Sequence, residues 1–509
     1  MGHSQNDANG PVTPHAALQP AAGAGSGQDF DASLQPIQEK RGRIARLLKS
    51  HPIGFWFFFW GEFAERASFY GMKAILTLYM INELKLNEAN AGTTMSVFIA
   101  GCYFLPLIGG WIADRYLGKY WTIVGFSLPY VVGQLMIGIS HGPFPYIAMA
   151  LLAMGSGVIK PNISTLMGLT YDQQRPGQDQ LRSDAFSMFY GAINIGSAMS
   201  TLVMPELRTR YGYFAAFMFP AVLMTLALTL FALGKRFYAV EVIQRTEKTP
   251  EERAQQWALL GRLFGLFLLV TFFWAIFDQH ATTWIFFAKK YLDLNLFGYE
   301  VQPDQVQALN PIFIVAFLPV ASVLWRLLAR WGLKVRPTDK MVVGFLLTAG
   351  AMAVHAVAGY LAVQSGAKVS LAWQVGAFLV ITFAEILISV TGLELAFTAA
   401  PKAMKGFVTG CWLVTVAAAN LFINAYVTRL YPSDSPGWHF PTPAGYFTAL
   451  TLMMLVVTVA FVFVARQFNR AMAAPAADAG PAQAPAEVPE DVEDVTATRP
   501  DSVTGQKPV

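Results

Sequence analysis

Twelve times along the chain, a mostly apolar run of about 20 or more residues recurs, long enough to cross a bilayer as a helix. The runs lie near 53–83, 90–112, 119–140, 144–169, 184–205, 213–236, 258–289, 308–331, 340–363, 370–398, 404–429 and 444–468. Inside hydrocarbon, every backbone N–H and C=O must be satisfied within its own segment, so such runs become helices. Apolar residues make up 54% of the chain and charged residues 13%, against about 25% charged in soluble domains. A soluble enzyme would have to bury all twelve runs as core helices. The expected fold class is an all-α membrane protein with twelve transmembrane helices.

The longest polar stretch between spans is residues 237–257, FYAVEVIQRTEKTPEERAQQW. It divides the chain into an N-terminal six-helix bundle over 50–236 and a C-terminal six-helix bundle over 258–470, joined by a cytoplasmic linker. Residues 1–49 read as a disordered, basic cytoplasmic arm. Residues 471–509, rich in Ala and Pro and then acidic, read as a disordered cytoplasmic tail. Most of the 36 Lys and Arg fall on the side that holds both ends, which places both termini in the cytoplasm. Cys102 and Cys411 lie in apolar segments and read as packing residues. No nucleotide-binding loop, metal cluster or nucleophile motif occurs. Neither an enzyme, a cofactor, a metal site, catalytic residues nor a nucleic-acid partner is expected.

Eight ionisable residues nevertheless lie well inside these spans: Glu62, Glu65, Arg66 and Lys73 in span 1, Lys160 in span 4, Asp278 in span 7, and Glu385 and Glu394 in span 10. Facing lipid, each would cost about 2.5–3.5 kcal/mol on insertion scales, so such groups line a bundle interior or an aqueous path. At ~1.5 Å rise per residue, Arg66, Lys160 and Glu385 sit about 22–26 Å below the outer surface. A central cavity would then be positive on the first-half wall and negative on the second. That suits a zwitterion, with its carboxylate toward Arg66 and Lys160 and its ammonium toward Glu385. Glu62 and Arg66 are spaced i,i+4, with Glu65 on the same face. Two acids sharing one base repel each other, a pattern suited to taking up and releasing a proton. Lys73 and Asp278 lie higher, where an ion pair between the halves could act as an outer gate. Tyr70, Tyr103, Trp274 and Trp412 are expected to line the cavity. His280 is expected to pack, and Glu394 falls near the inner end.

The loop GGWIADRYLGKYWTI between spans 2 and 3 resembles the signature of the major facilitator superfamily, with a weaker echo, LLARWGLKVRPTDK, between spans 8 and 9. EFAERASFYG resembles the E-x-x-E-R-F-x-Y-Y-G motif of the proton-dependent oligopeptide transporters. FSMFYGAINIGS, GSGVIKPNIS, FWAIFDQ, LNPIF and EILISVTGLELAFTAAPKAMKG are also similar to that family's pattern, over about residues 50–470. The resemblance, to the bacterial type, implies the major facilitator fold, alternating access, and uptake of di- and tripeptides with protons as coupling ion. It implies a monomer in the bilayer of the bacterial inner membrane. On this chain, Glu62, Glu65 and Arg66 correspond to a proton-coupling cluster, and Lys160 to a lysine coupled to substrate and proton. Tyr70, Tyr103, Asn194, Asn310 and Trp412 correspond to pocket residues. Glu385, with Ser389 one turn on, corresponds to the acid for the peptide amine, and Lys73 and Asp278 to the outer gate.

The chain departs from the pattern at Ala67 and Phe69, where a hydroxyl is lost, and at Ser96, where animal members carry histidine. The linker is too short and polar for the two extra helices of many bacterial members. Two other readings stand beside peptide symport. An anion carrier, for nitrate or a similar solute, conflicts with Glu385 and with the intact acidic cluster. A sensor on the same scaffold would bind without flux.

Overall fold

The computed structural model describes residues 50–241, 249–332, 335–399, 405–433 and 437–473. The expected arm 1–49, most of the tail and part of the linker lie outside the described residues. Residues up to 465 form one unit, which holds every side chain discussed below, and residues from 466 form a second.

Helices α1 (Ile53–Asn82), α2 (Glu88–Ile112), α3 (Gly118–Met136), α4 (Phe144–Gln174) and α5 (Asp179–Leu233) build the first half. Helix α2 is started by the Asn87 side chain, which accepts from the Asn90 backbone N–H at 2.8 Å, a standard way of satisfying an orphan N–H. It runs through a π-helical turn, Ala113–Leu117, and reverses at Gly118 (φ 74°, ψ 161°). Helix α5 is 55 residues long, about twice a membrane crossing, and it breaks at Gly212 (φ 81°, ψ 171°). Only glycine adopts such a backbone freely. The first half therefore crosses six times.

The second half contains α6 (Pro250–Phe277), α7 (Thr283–Tyr291), α8 (Leu309–Arg330), α9 (Pro337–Ser365), α10 (Ala372–Ala399), α11 (Lys405–Ala418), the short α12 (Ala425–Val427) and α13 (Pro443–Ala473). Nine helical stretches are long and apolar enough to cross a membrane among the described residues. Two of them double back, and α1 with its four charges is a further crossing, which makes twelve. Two spans differ from unbroken helices. The seventh is interrupted by a 3-10 turn, Asp278–Ala281, and by Thr282 (φ −134°, ψ −89°). The eleventh widens into a π-helix over Ala419–Asn424. Helix α6 also begins at Pro250, inside the expected polar linker, because proline at the first helical position and the following Glu-Glu suit a helix N-terminus.

Within the first half α1 packs on α5, and α2 and α3 pack on α4; in the second, α9 packs on α10. Between the halves, α2 meets α11 and α5 meets α8. Numbered by crossing, these are pairs 2–11 and 5–8. Exchanging the halves turns one pair into the other, as two repeats of the same bundle require.

Polar contacts between the halves gather at the end of the bundle opposite the start of α1. There Thr77 Oγ1 donates to Ala281 O at 2.7 Å, Gln307 Nε2 to Ala74 O at 3.1 Å, Gln305 Nε2 to Leu202 O at 3.0 Å, and Thr93 Oγ1 to Ala425 O at 2.9 Å. Arg208 Nη2 pairs with Asp304 Oδ1 at 3.1 Å, with the carboxylate wholly buried. Burial pushes the Asp304 carboxyl up to about 6 from 3.8, against the opposing pull of Arg208.

Two predictions follow from these contacts. A Cβ on Gly155 would lie 2.3 Å from Tyr130 Cβ, so Gly155→Val should cost about 1–3 kcal/mol or more by overpacking, read as a lower melting temperature in detergent. For Asp304, the buried carboxyl holds its proton more tightly than a solvated one, so the fastened end gains stability as pH falls through about 6 toward 3.8 and loses it as pH rises. Comparing melting temperatures at acidic and neutral pH, Asp304→Asn should remove part of the acid stabilisation; an unchanged pH response would contradict this.

Candidate functional site

Helix α1 presents Glu62, Glu65 and Arg66 on one buried face, at 1%, 2% and 1% exposure. Arg66 Nε lies 3.2 Å from Glu62 Oε1 and also pairs with Glu65 Oε2. The pairing is incomplete. Glu62 Oε2, Glu65 Oε1 and Arg66 Nη2 are buried without a hydrogen-bond partner among the described residues. Such orphans are expensive in a dry interior, and they are the atoms that a proton or an anionic ligand would satisfy. Tyr130, buried on α3, stands against both Arg66 and Glu65. Arg66 also lies over the Phe69 ring, 5.5 Å from its centroid.

Lys160 reaches the same region from α4, within electrostatic range of Arg66, Glu62 and Glu65. Its ammonium sits over the Tyr103 ring at 5.2 Å, a cation–π contact, and among the described residues it closes no ion pair. Helical rise sets Arg66 and Lys160 at one depth, and the structure brings the two within electrostatic range of each other.

The opposite wall comes from the second half. Asn310 Nδ2 donates to Glu385 Oε2 at 2.7 Å and to Thr382 Oγ1 at 3.2 Å. Tyr70 links the two walls: Arg66, Glu62, Glu65 and Glu385 all act on its phenol. With Lys73, Ser197, Thr201, His280 and Asn310 it lines a small cavity between the halves. Tyr190 also comes within range of Glu385 and Tyr70, and Asn194 Nδ2 donates to its carbonyl oxygen at 2.9 Å.

The remaining expected residues are placed by contacts in the second half. The Trp412 ring lies against Gly392, where a Cβ would meet it at 2.1 Å, one turn from Ser389. Trp274 packs edge-on to Phe273 and Phe277, with Nε1 buried and unpartnered among the described residues. His280 packs on Phe277, with ring centroids 4.8 Å apart, while also edging the small cavity. Ser96 donates to Gly92 O at 2.9 Å within its own helix. Glu394 is exposed.

The expected Lys73–Asp278 gate is not closed in this structure. The two residues are in electrostatic range, yet no ion pair forms between them. Asp278 Oδ2 instead accepts from Asn420 Nδ2 at 2.6 Å. Among the described residues, the ion pair that does join the halves is Arg208–Asp304, which apolarity profiles miss because both residues fall at span ends. Tyr130, Tyr190 and Thr382 were missed for another reason: single polar groups in apolar helices carry no spacing signal. Asn420 and Asn424 did leave one, a pair of amides spaced i,i+4 in the eleventh span.

The model of the POT family matches residues 120–252 and 239–435. Solute carrier family 15 member 2 of Mus musculus is 32% identical over 359 residues, 60% of this chain and 49% of its own. Peptide transporter family 1 of Drosophila melanogaster is 35% identical over 337 residues, 57% of this chain and 45% of its own. The chain thus spans about half the length of these relatives. The crystal structure of the POT family transporter PepTSo superposes with a TM-score of 0.72 at 28% identity, covering 82% of this chain and 99% of that one. A peptide transporter POT solved in complex with alafosfalin gives 0.73 at 27% identity, covering 85% and 97%. With twelve crossings in two exchangeable six-helix halves, this is the major facilitator fold, and the chain belongs to the POT family.

Proposed function

We propose that this chain is a proton-coupled symporter that imports di- and tripeptides by alternating access, working as a monomer in a bacterial inner membrane with both termini cytoplasmic. The observation that carries the reading is that two cations of the first half and an acid of the second flank Tyr70. Arg66 and Lys160 lie on the first half, and Glu385, held by Asn310, lies on the second. A peptide's carboxylate fits the first and its ammonium the second. The names of the relatives, as peptide transporters, support the same reading.

Mechanistically, a peptide bridging the walls draws the halves together. Tyr70, Tyr103, Asn194, Asn310, Trp274, Trp412 and Ser389 serve as lining. Protons reach Asp278 and the Glu62/Glu65 cluster. Protonating one of those acids loosens its hold on Arg66 and frees the guanidinium for the substrate carboxylate. When the proton leaves toward the cytoplasm, the acids reclaim Arg66 and the peptide is released. Lys73 and Asp278 meet in another state of the cycle than the one described here. No resident cofactor enters this scheme.

The test uses purified protein in liposomes with an inward proton gradient and negative interior. Labelled dialanine should accumulate, a protonophore should abolish the accumulation, and dipeptides should compete where free alanine and nitrate do not. Lys160→Ala should abolish concentrative uptake. Glu385→Gln should raise the half-saturating dipeptide concentration at least tenfold, equivalent to about 1.4 kcal/mol. Competition by nitrate without peptide accumulation would overturn the substrate, and binding without flux would indicate a sensor.

A further inference from the structure

Asp278 is the end of a buried hydrogen-bond chain that runs in one direction. Asn420 Nδ2 donates to Asp278 Oδ2 at 2.6 Å. Asn424 Nδ2 donates to Asn420 Oδ1 at 2.9 Å, and Gln279 Nε2 to Asn424 Oδ1 at 2.5 Å. Gln279 Oε1 in turn accepts from Tyr446 Oη and Thr283 Oγ1, both at 2.8 Å. Gln279, Thr283, Asn420, Asn424 and Tyr446 are all fully buried. The backbone irregularities of the two spans make the chain possible. The 3-10 turn at Asp278–Ala281 and the π-helix at Ala419–Asn424 set both sequences side by side, and π-turns are frequent at functional sites.

The direction is fixed chemically. A carboxylate can only accept, so Asn420 must turn its nitrogen to Asp278 and its oxygen to Asn424. The same logic then passes to Asn424 and Gln279. Spare amide protons lock the orientation, since Asn420 Nδ2 also donates to Val416 O at 3.0 Å and Gln279 Nε2 to Ala275 O at 3.3 Å. At the far end, the hydroxyls of Tyr446 and Thr283 can supply the protons that Gln279 Oε1 requires. Every donor therefore points toward Asp278, and aligned hydrogen bonds in a dry interior polarise one another.

We infer that Asn420, Asn424, Gln279 and Tyr446 form a one-way relay that positions the Asp278 carboxylate and favours its charge, so that Asn420 is a positioning residue for the coupling step. The inference deepens the proposed symport and, for its transport consequence, rests on it. The relay moves no proton itself, because every link but the hydroxyls is an amide. It leaves Asp278 Oδ1 for Lys73. Among the described residues, the other groups acting around this carboxyl are Lys73 on α1, Tyr103 on α2 and Glu385 on α10, and His280, two residues on, is acted on by the same Lys73. The relay is the contact that holds it within its own half.

The test has two arms. In protein labelled with 15N in asparagine side chains, the Asn420 amide resonance is assigned by its loss in Asn420→Leu. Asp278→Asn should shift it, and so should Tyr446→Phe, three hydrogen bonds away. An unmoved resonance in folded Tyr446→Phe protein would overturn the relay, whether or not peptide is transported. In liposomes, Asn420→Leu should lower proton-driven dialanine uptake about tenfold and dialanine exchange without a gradient much less. Combined with Asp278→Asn it should add no further loss, since the two changes remove one interaction. Equal loss of both fluxes, or additive losses, would reduce Asn420 to a packing residue and overturn its coupling role. If the wild type carries no peptide, the symport reading fails and the resonance arm alone decides the relay.

Discussion

The pairing of Arg66 with Glu62 and Glu65 is the contact on which the rest of the architecture depends. A guanidinium inside hydrocarbon cannot shed its charge, so it must be given carboxylates, and those carboxylates must be sheltered from lipid. That need turns one face of α1 inward, toward Tyr130 on α3 and Lys160 on α4. It also explains why the first crossing tolerates three of its four charged residues. The cluster remains one step short of satisfaction, with two carboxylate oxygens and one guanidinium nitrogen unpartnered among the described residues. A fully satisfied network would be a brace. An unsatisfied one has capacity for a ligand and a proton.

The two halves differ in how they hold charge. The first gathers its cations near Arg66 and Lys160, while the second holds its acids with amides: Asn310 on Glu385 and Asn420 on Asp278. An amide can donate to a carboxylate without cancelling its charge, so these acids remain attractive to a cation from outside their own half. In the proposed cycle that cation is a substrate ammonium for Glu385 and Lys73 for Asp278. At one end of the bundle the halves are fastened by hydrogen bonds and by Arg208–Asp304. Breaking and remaking such contacts, rather than refolding either half, is the motion that repeated bundles allow.

Much of this was legible in the sequence. Span positions followed from apolar runs because hydrocarbon leaves a helix little alternative, and their bounds shifted mainly where Pro250 starts a helix early and where Gly212 and Gly118 reverse the chain. Constant helical rise sets Arg66 and Lys160 at one depth, and the structure brings them within electrostatic range. The gate was less legible. Depth placed Lys73 opposite Asp278, but depth is blind to competitors, and Asn420 arrives only through a π-helix that no periodicity announces. Arg208 and Asp304 lie between spans and carry no such signal, since burial at a span end depends on the partner helix and not on local composition. Trp274 and Trp412 were assigned to the cavity, and their contacts here lie within the second half.

The most direct measurement of two-walled recognition is a binding cycle between substrate and site. Dialanine and N-acetyl-dialanine would be titrated calorimetrically against the wild type and Glu385→Gln. If the ammonium is held on Glu385, masking the amine and neutralising the acid each weaken binding about tenfold or more, and together they weaken it little further, because both remove one interaction. If the losses multiply, or if acetylation leaves the affinity unchanged, the peptide is not held by its two charged ends across the halves.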